Sequence, residues 1–299
     1  MDWEDELSVV ETKVSGAGGE SHHQPARQPF VVIQPTHGWI ALDLIELWKY
    51  RDLLWLLAGR DVKLRYKQTA LGLTWVVLQP LVAALIFAVI FGRFGNLPSD
   101  GSPYILFVFT SLLPWNFFAG ALQRAGNSLV TDSRLISKVY FPRLIIPLAS
   151  TGAVLIDFVV TLAVLAVLMV IYRVPLTWHV LALPFFLLLT AVLGVGVSLW
   201  LSALNVQYRD FMYALPFLIQ VWMYASPVVY STSLVPQRWQ FLFSLNPAVG
   251  FIEGFRWSLL GTGSLTLEMV LVTTLIGLLT LLGGAYVFRR IERGFADVL

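Results

Sequence analysis

Six apolar runs restrict this chain more than any other feature. They fall at about 71–91, 103–123, 144–172, 178–203, 211–229 and 269–288, and only the third carries an Asp, Glu, Lys or Arg. A helix needs about 20 residues to cross roughly 30 Å of hydrocarbon, and each run is about that long. Within lipid every backbone N–H and C=O must find a partner in the protein, and runs without strand alternation satisfy this as helices. The expected fold is therefore an all-α integral membrane protein with six spans. A mean hydropathy of +0.74 and a charged fraction of 13% agree, against about 25% in a soluble domain.

Charge position orients the spans. Sixteen of the 20 Lys and Arg lie before residue 70, between Arg124 and Arg143, at Arg209, or at Arg289, Arg290 and Arg293. The other four are Arg93, Arg173, Arg238 and Arg256. The side that keeps Lys and Arg is normally cytoplasmic, so both termini are expected there. The net charge of +2 is too small to suggest a nucleic-acid partner. Residues 1–29 are polar and rich in Glu, Gly and Ser, which predicts a disordered cytoplasmic tail. His22 and His23 inside it lack the further ligands that a zinc site needs.

Region 30–70 differs from the runs that follow. From Trp39 to Gln68, apolar residues alternate with Arg51, Arg60, Asp61, Lys63, Arg65 and Lys67, a pattern too charged to span and suited to an amphipathic helix at the interface. Gly59 is expected to divide it, since glycine costs roughly 1 kcal/mol in a helix interior. At the other side, 231–268 is external by the charge rule yet carries Trp239, Phe241, Phe251, Ile252, Phe255 and Trp257. A solvated loop would not expose that surface, so short re-entrant helices are expected. Asn246-Pro247 suits the start of one such helix, which would carry Glu253 and Arg256 on one face. An exposed pair at that spacing contributes only about 0.2–0.5 kcal/mol, whereas a desolvated one would orient a gate or bind sugar hydroxyls. Pro216 and Pro227 are expected to kink the fifth span.

A compact basic stretch, Asp132 to Thr151, joins the third span without a spacer. Arg134, Lys138 and Arg143 sit at the boundary, Tyr140 and Phe141 add an aromatic knob, and Pro142 and Pro147 suit a helix start. An ordinary juxtamembrane anchor has the same composition. Asp157 is the one acid inside a span, either a functional group or interhelical glue. The aromatics Trp75, Tyr104, Trp115, Phe118, Phe217, Trp222 and Tyr224 suit lipid-facing packing, or a path on which pyranose rings slide.

Several chemistries are excluded. The sequence has no HExxH, no GxSxG and no Gly-Lys dipeptide for a phosphate loop, and no cysteine for thiolate metal ligation or nucleophilic attack. No catalytic residue and no metal site is expected. The spans hold too few ionisable residues for ion-coupled transport. ATP-driven work would come from another chain.

Several stretches carry a resemblance: Tyr50-Arg-Asp-Leu-Leu-Trp55, Arg60 to Gln68 followed by Leu71-Gly-Leu-Thr-Trp75 and Pro80, and Phe141-Pro-Arg-Leu-Ile-Ile-Pro147. Further on are Asn205-Val-Gln-Tyr-Arg-Asp-Phe211, Ser226-Pro-Val-Val-Tyr230 and Asn246 to Arg256. In this order they resemble the membrane subunit of ABC-2 type exporters, the permeases for O-antigen, capsular polysaccharide and teichoic acid. The match covers nearly everything after residue 30, with 71–299 as the transmembrane domain.

The resemblance implies a homodimer in the bacterial inner membrane, two ABC ATPase subunits that bind ATP and Mg, and a lipid-linked polysaccharide substrate. It implies ATPase coupling through a helix at about 127–140 and the charged helix at 53–67, with Arg60, Lys63, Arg65, Arg134, Lys138, Tyr140, Phe141 and Arg143 in that role. Gate helices are implied within 234–260, with Pro227, Tyr230, Asn246, Pro247, Glu253 and Arg256 as the gate. Competing readings are an ABC-2 exporter of small hydrophobic compounds, a membrane glycosyltransferase without a recognisable metal motif, and a structural scaffold.

Overall fold

The computed structural model describes residues 44–67, 72–136, 138–139, 141–208 and 210–292. The tail, His22, His23, Tyr140, Arg209 and Arg293 lie outside these residues, as does all of 30–43.

The described residues form helices and no strand. Two precede the first span, α1 (Leu44–Lys49) and α2 (Arg51–Lys67). The chain turns at Tyr50, and α2 runs unbroken through Gly59, contrary to the expected division. Helical turns on both sides of Gly59, each packed by its own neighbours, outweigh one glycine's propensity. Then come α3 (Leu73–Phe87), which widens into π-helical turns over Ala88–Phe94, α4 (Tyr104–Thr131) and the short α5 (Ser133–Ile136). The remainder is α6 (Ile145–Ile171), α7 (Leu183–Gln207) with a 3-10 lead-in at Trp178–Ala182, α8 (Phe211–Tyr224), α9 (Gln237–Ser244), α10 (Pro247–Leu260) and α11 (Leu267–Glu292).

Among the described residues five helical stretches are long and apolar enough to cross a membrane: Thr74–Phe94, Tyr104–Thr131, Ile145–Ile171, Trp178–Gln207 and Leu267–Glu292. The 14-residue α8 is shorter, roughly 21 Å at 1.5 Å per residue. It continues through Pro216 and ends before Pro227, after which residues 225–230 turn without regular helix. The expected kink is thus a stop.

The second span, α4, is the shaft of the bundle. Of its most apolar membrane-length window 78% is buried, against 11% for the first span. Helices α3, α6, α7, α8 and α10 all pack on it. Two apolar clusters lie along it. The larger holds Phe107, Phe109, Phe118, Phe158, Phe186, Phe251 and Phe255, and the smaller holds Leu57, Leu129, Phe141, Leu144, Ile145 and Phe288. Between them the helices meet through small and polar residues. Ser198 donates to the Ala121 carbonyl at 3.2 Å, and Asn205 donates to the Gly126 carbonyl at 3.2 Å and to Asn127 Oδ1 at 2.7 Å. Helices α7 and α11 approach so closely that a Cβ on Gly196 would lie 2.6 Å from the Leu281 amide nitrogen. Small residues at such contacts are how helices gain van der Waals packing where lipid removes the hydrophobic drive.

Candidate functional site

The ends of α4 carry two different polar constructions. At its first turns Arg256 and Glu253 of α10 are both wholly buried. The local sequence fixes their helix: Asn246 caps it by accepting from the Ala248 amide at 3.1 Å, Pro247 takes the first turn, and Gly261 ends it at a left-handed φ of 67°. Asn246 also ties α10 to the end of α8, accepting from Trp222 Nε1 at 2.9 Å and donating to Ser226 Oγ at 3.0 Å.

Every face of the buried pair is occupied. Arg256 Nη1 donates to Glu253 Oε1 at 2.8 Å and Nε to Ser111 Oγ of α4 at 2.8 Å. Its Nη2 donates to the Pro227 carbonyl and, at 3.3 and 3.4 Å, to the carbonyls of Val228 and Tyr230. Its guanidinium carbon stands 3.7 Å from the centroid of the Phe107 ring. Glu253 accepts from Thr232 Oγ1 at 2.7 Å and from the Ser264 amide at 3.0 Å. Thus one ion pair pins α4, the 227–232 turn, α10 and the segment before α11. It is not the exposed pair of a few tenths of a kcal/mol, and in this conformation neither side chain reaches a sugar hydroxyl. The 227–232 turn is further held by Tyr104, whose hydroxyl donates to the Val229 carbonyl at 2.5 Å, and by Ser231, which donates to Asp100 at 2.8 Å.

At the other end of α4 an ionic seam joins α2 to the bundle. Arg60 donates to Asp61 Oδ1 at 2.8 Å and to Asp132 Oδ2 at 2.7 Å, and Ser150 donates to Asp61 Oδ2 at 3.3 Å. The Asp132 bond, followed by the Asp61 bond and both carboxylate charges, holds the Arg60 pKa above its ordinary value despite partial desolvation. Further along, Arg65 and Tyr66 both donate to Asp157, which Arg124 of α4 also approaches at 3.6 Å. Asp157 is therefore an acid with charged partners. Its sequence neighbourhood concealed them, because they lie on other helices.

The expected coupling residues divide among environments. Lys63, Arg134 and Lys138 are exposed, Arg60, Arg65 and Arg143 half-buried. Phe141 is not a projecting knob: it is buried in the smaller cluster with Leu144 and Phe288. Arg143 donates to the Glu292 carbonyl at 2.8 Å, which ties the start of α6 to the end of α11. The expected coupling helix at 127–140 is split, since α4 continues to Thr131 and only α5 follows.

The aromatic set also divides. Trp115 and Phe118 are buried, with Trp222 edge-on to Phe118 at 5.1 Å between centroids and Phe251 at 5.5 Å. They join α4, α8 and α10 as core. Trp75 of α3 and Phe217 and Tyr224 of α8 are exposed, and Tyr104 is half-buried. The exposed face of α3 around Trp75 holds a shallow groove lined by Leu78, Gln79, Val82, Ala83 and Ile86. Among the described residues no group of His, Cys, Asp and Glu is arranged to hold a metal.

These features sit within a segment that a family model described as "ABC-2 type transporter" matches over residues 52–260. The chain belongs to this family. Of this ABC-2 chain, 83% aligns at 28% identity with 95% of the "O-antigen export system permease protein RfbA" of Klebsiella pneumoniae. The protein of the same description from Myxococcus xanthus is 32% identical over 71% of the chain and 81% of its own length. The "Polysialic acid transport protein KpsM" of Escherichia coli is 25% identical over 65% of the chain and 76% of its own length. Family membership places both polar constructions in a transport permease subunit, so their chemistry is to be sought in holding and moving helices rather than in catalysis.

Proposed function

We propose that this chain is the membrane subunit of an ATP-driven exporter that moves lipid-linked polysaccharide across the bacterial inner membrane. The observation that carries the reading is near full-length similarity to O-antigen permeases. The "Inner membrane transport permease YadH" of Escherichia coli, whose description names no glycan, aligns over a smaller 67% of the chain. The working assembly is a homodimer with two ABC ATPase subunits, which bind the ATP and Mg. Six crossings with both termini cytoplasmic follow from the basic end carrying α2, Lys138 and Arg290. The fifth crossing in chain order, which completes the six, is α8 with the 225–230 turn, and α9 and α10 form re-entrant helices at the outer face. In this arrangement Arg60, Lys63, Arg65, Arg134, Lys138, Tyr140, Phe141 and Arg143 couple the ATPase to the spans. Trp75, Phe217 and Tyr224 face the glycan path between two copies, with Tyr104, Trp115, Phe118 and Trp222 shaping its wall. Pro227, Tyr230, Asn246, Pro247, Glu253 and Arg256 hold the gate.

The test is export in cells. Loss of the chain is expected to trap completed lipid-linked glycan in the cytoplasmic leaflet, and re-expression with its ATPase to release it; unchanged surface glycan without the chain would refute the reading. In the same cells Lys63→Cys is expected to react with a membrane-impermeant maleimide only after the cytoplasmic side is opened. Reaction in intact cells would reverse the topology.

A further inference from the structure

Helices α4 and α6 have 28 and 27 residues, roughly 40 Å each, about 10 Å more than the hydrocarbon needs. About 20 residues counted inward from Tyr104 and from Ile171 reach Arg124 and Gly152. Arg124 therefore stands at the level of the headgroups of one leaflet, the cytoplasmic one in the topology above, while Asp157 lies five residues, about 7 Å, further in and draws the Arg65-Tyr66 end of α2 to the same boundary.

Charge and hydrogen bonding there are unbalanced. Arg65 and Arg124 both address Asp157 Oδ2, while Oδ1 accepts from Tyr66. Two guanidinium groups share one carboxylate that is already occupied. Arg124 is two-thirds buried, yet among the described residues it donates no hydrogen bond, and its ion pair stands at 3.6 Å. The other acids nearby are committed elsewhere: Asp61 and Asp132 both hold Arg60, a reversed imbalance, and Asp61 also accepts from Ser150. Lys63 and Lys67 of α2 are exposed and add positive charge. Exposed Leu64, Leu155, Ile156 and Val159 supply apolar surface beside the cluster.

We propose that Arg65 and Arg124 form a binding site for the phosphate oxygens of a lipid headgroup. A guanidinium fork matches two phosphate oxygens, and its donors keep their strength where water is scarce. The anion would complete the hydrogen bonding of Arg124, and the flanking apolar residues would take the acyl or prenyl chain. Two sources share this chemistry: a phosphate-linked lipid carrier of the export substrate, for which a prenyl diphosphate serves as probe, and the phosphate of an anionic phospholipid. Only the first rests on the polysaccharide reading.

The test uses the permease with its ATPase in phosphatidylcholine nanodiscs, with native mass spectrometry reading bound lipid. Undecaprenyl diphosphate and phosphatidylglycerol are the probes. Arg124→Gln is expected to weaken binding about tenfold or more, the effect of one charge-assisted hydrogen bond, with Arg124→Lys between it and the native chain. Asp157→Asn removes the competing carboxylate and is expected to tighten binding. Opposite signs distinguish a ligand site from a folding defect, which would move both variants together. Selective gain and loss for undecaprenyl diphosphate identifies the substrate as the source, and the same pattern for phosphatidylglycerol identifies bulk lipid. Equal affinity in the native chain and Arg124→Gln, or weakening in Asp157→Asn, would overturn the site. Failure of the polysaccharide reading shows separately, as normal surface glycan in cells without the chain.

Discussion

Glu253→Gln and Arg256→Gln are each expected to abolish export and to lower the stability of the extracted protein by about 3–5 kcal/mol, the cost of stranding one partner of a buried pair. The magnitude follows from burial: both side chains are 0% exposed, so the surviving charge finds no water. The charge-swapped double variant is expected to fail as well. Arg256 Nη2 is surrounded by the carbonyls of Pro227, Val228 and Tyr230, which would repel a carboxylate, and Glu253 Oε2 accepts from the Ser264 amide, which an arginine cannot do. Thermal unfolding in detergent and export at matched membrane abundance are the measurements. Full export in the swapped variant would show that the pair acts by charge alone. A Glu253→Met/Arg256→Met variant separates stability from function, because well-packed apolar replacements of buried pairs are often neutral. If it folds and does not export, the four-way junction has a role in transport beyond holding the fold.

The second large effect is expected at Phe141. Its ring is 5% exposed and lies in the smaller cluster, so Phe141→Ala should cost about 3–5 kcal/mol. It lies between exposed Lys138 and the start of α6, and under the coupling proposal a push on Arg134 and Lys138 reaches α6 through it. Phe141→Leu, which keeps most of the apolar volume, is expected to restore stability. Under the coupling proposal it leaves ATP hydrolysis running while export falls, because a smaller side chain transmits less displacement. Lys138→Glu, at an exposed position, tests the same link with little effect on folding. ATP turnover and glycan export in reconstituted vesicles separate the two, and parallel change of both activities in Phe141→Leu would remove Phe141 from the coupling path.

The long spans were legible because lipid imposes a length and a composition that few other structures share. The chain's last long span, expected at 269–288, is observed within Leu267–Glu292, and the small differences lie at helix ends, where no apolar signal changes sharply. Asn246-Pro247 announced the start of α10 through its capping chemistry, whereas its end at Gly261 was not read from the sequence. Burial of Glu253 and Arg256 was not legible, because spacing of three residues reads alike on a wet or a dry face. The available signal was their setting, Phe251, Ile252, Phe255 and Trp257 on all sides, together with Ser111 inside an apolar span. The partners of Asp157 were invisible for a different reason. Arg65 and Arg124 stand far from it in sequence, and only the packing of α2 and of α4 against α6 brings them together. The division of the aromatic residues between core and surface was not legible, because ring chemistry does not separate a buried Phe118 from an exposed Phe217.

The small and polar contacts between the two apolar clusters have a mechanical meaning. Interlocked large side chains resist sliding, since each must leave one hole before it enters the next. A Ser198 hydroxyl, which also donates to the Gly194 carbonyl at 2.6 Å, keeps a partner on its own helix if the Ala121 carbonyl moves away. Asn205 likewise divides its amide between a backbone carbonyl and Asn127. Glycines at 194 and 196 present no knob to climb over. The contact of α7 with α4 thus keeps its donors partnered through a small slide of one helix along the other, the kind of ångström-scale helix shift that needs no partial unfolding.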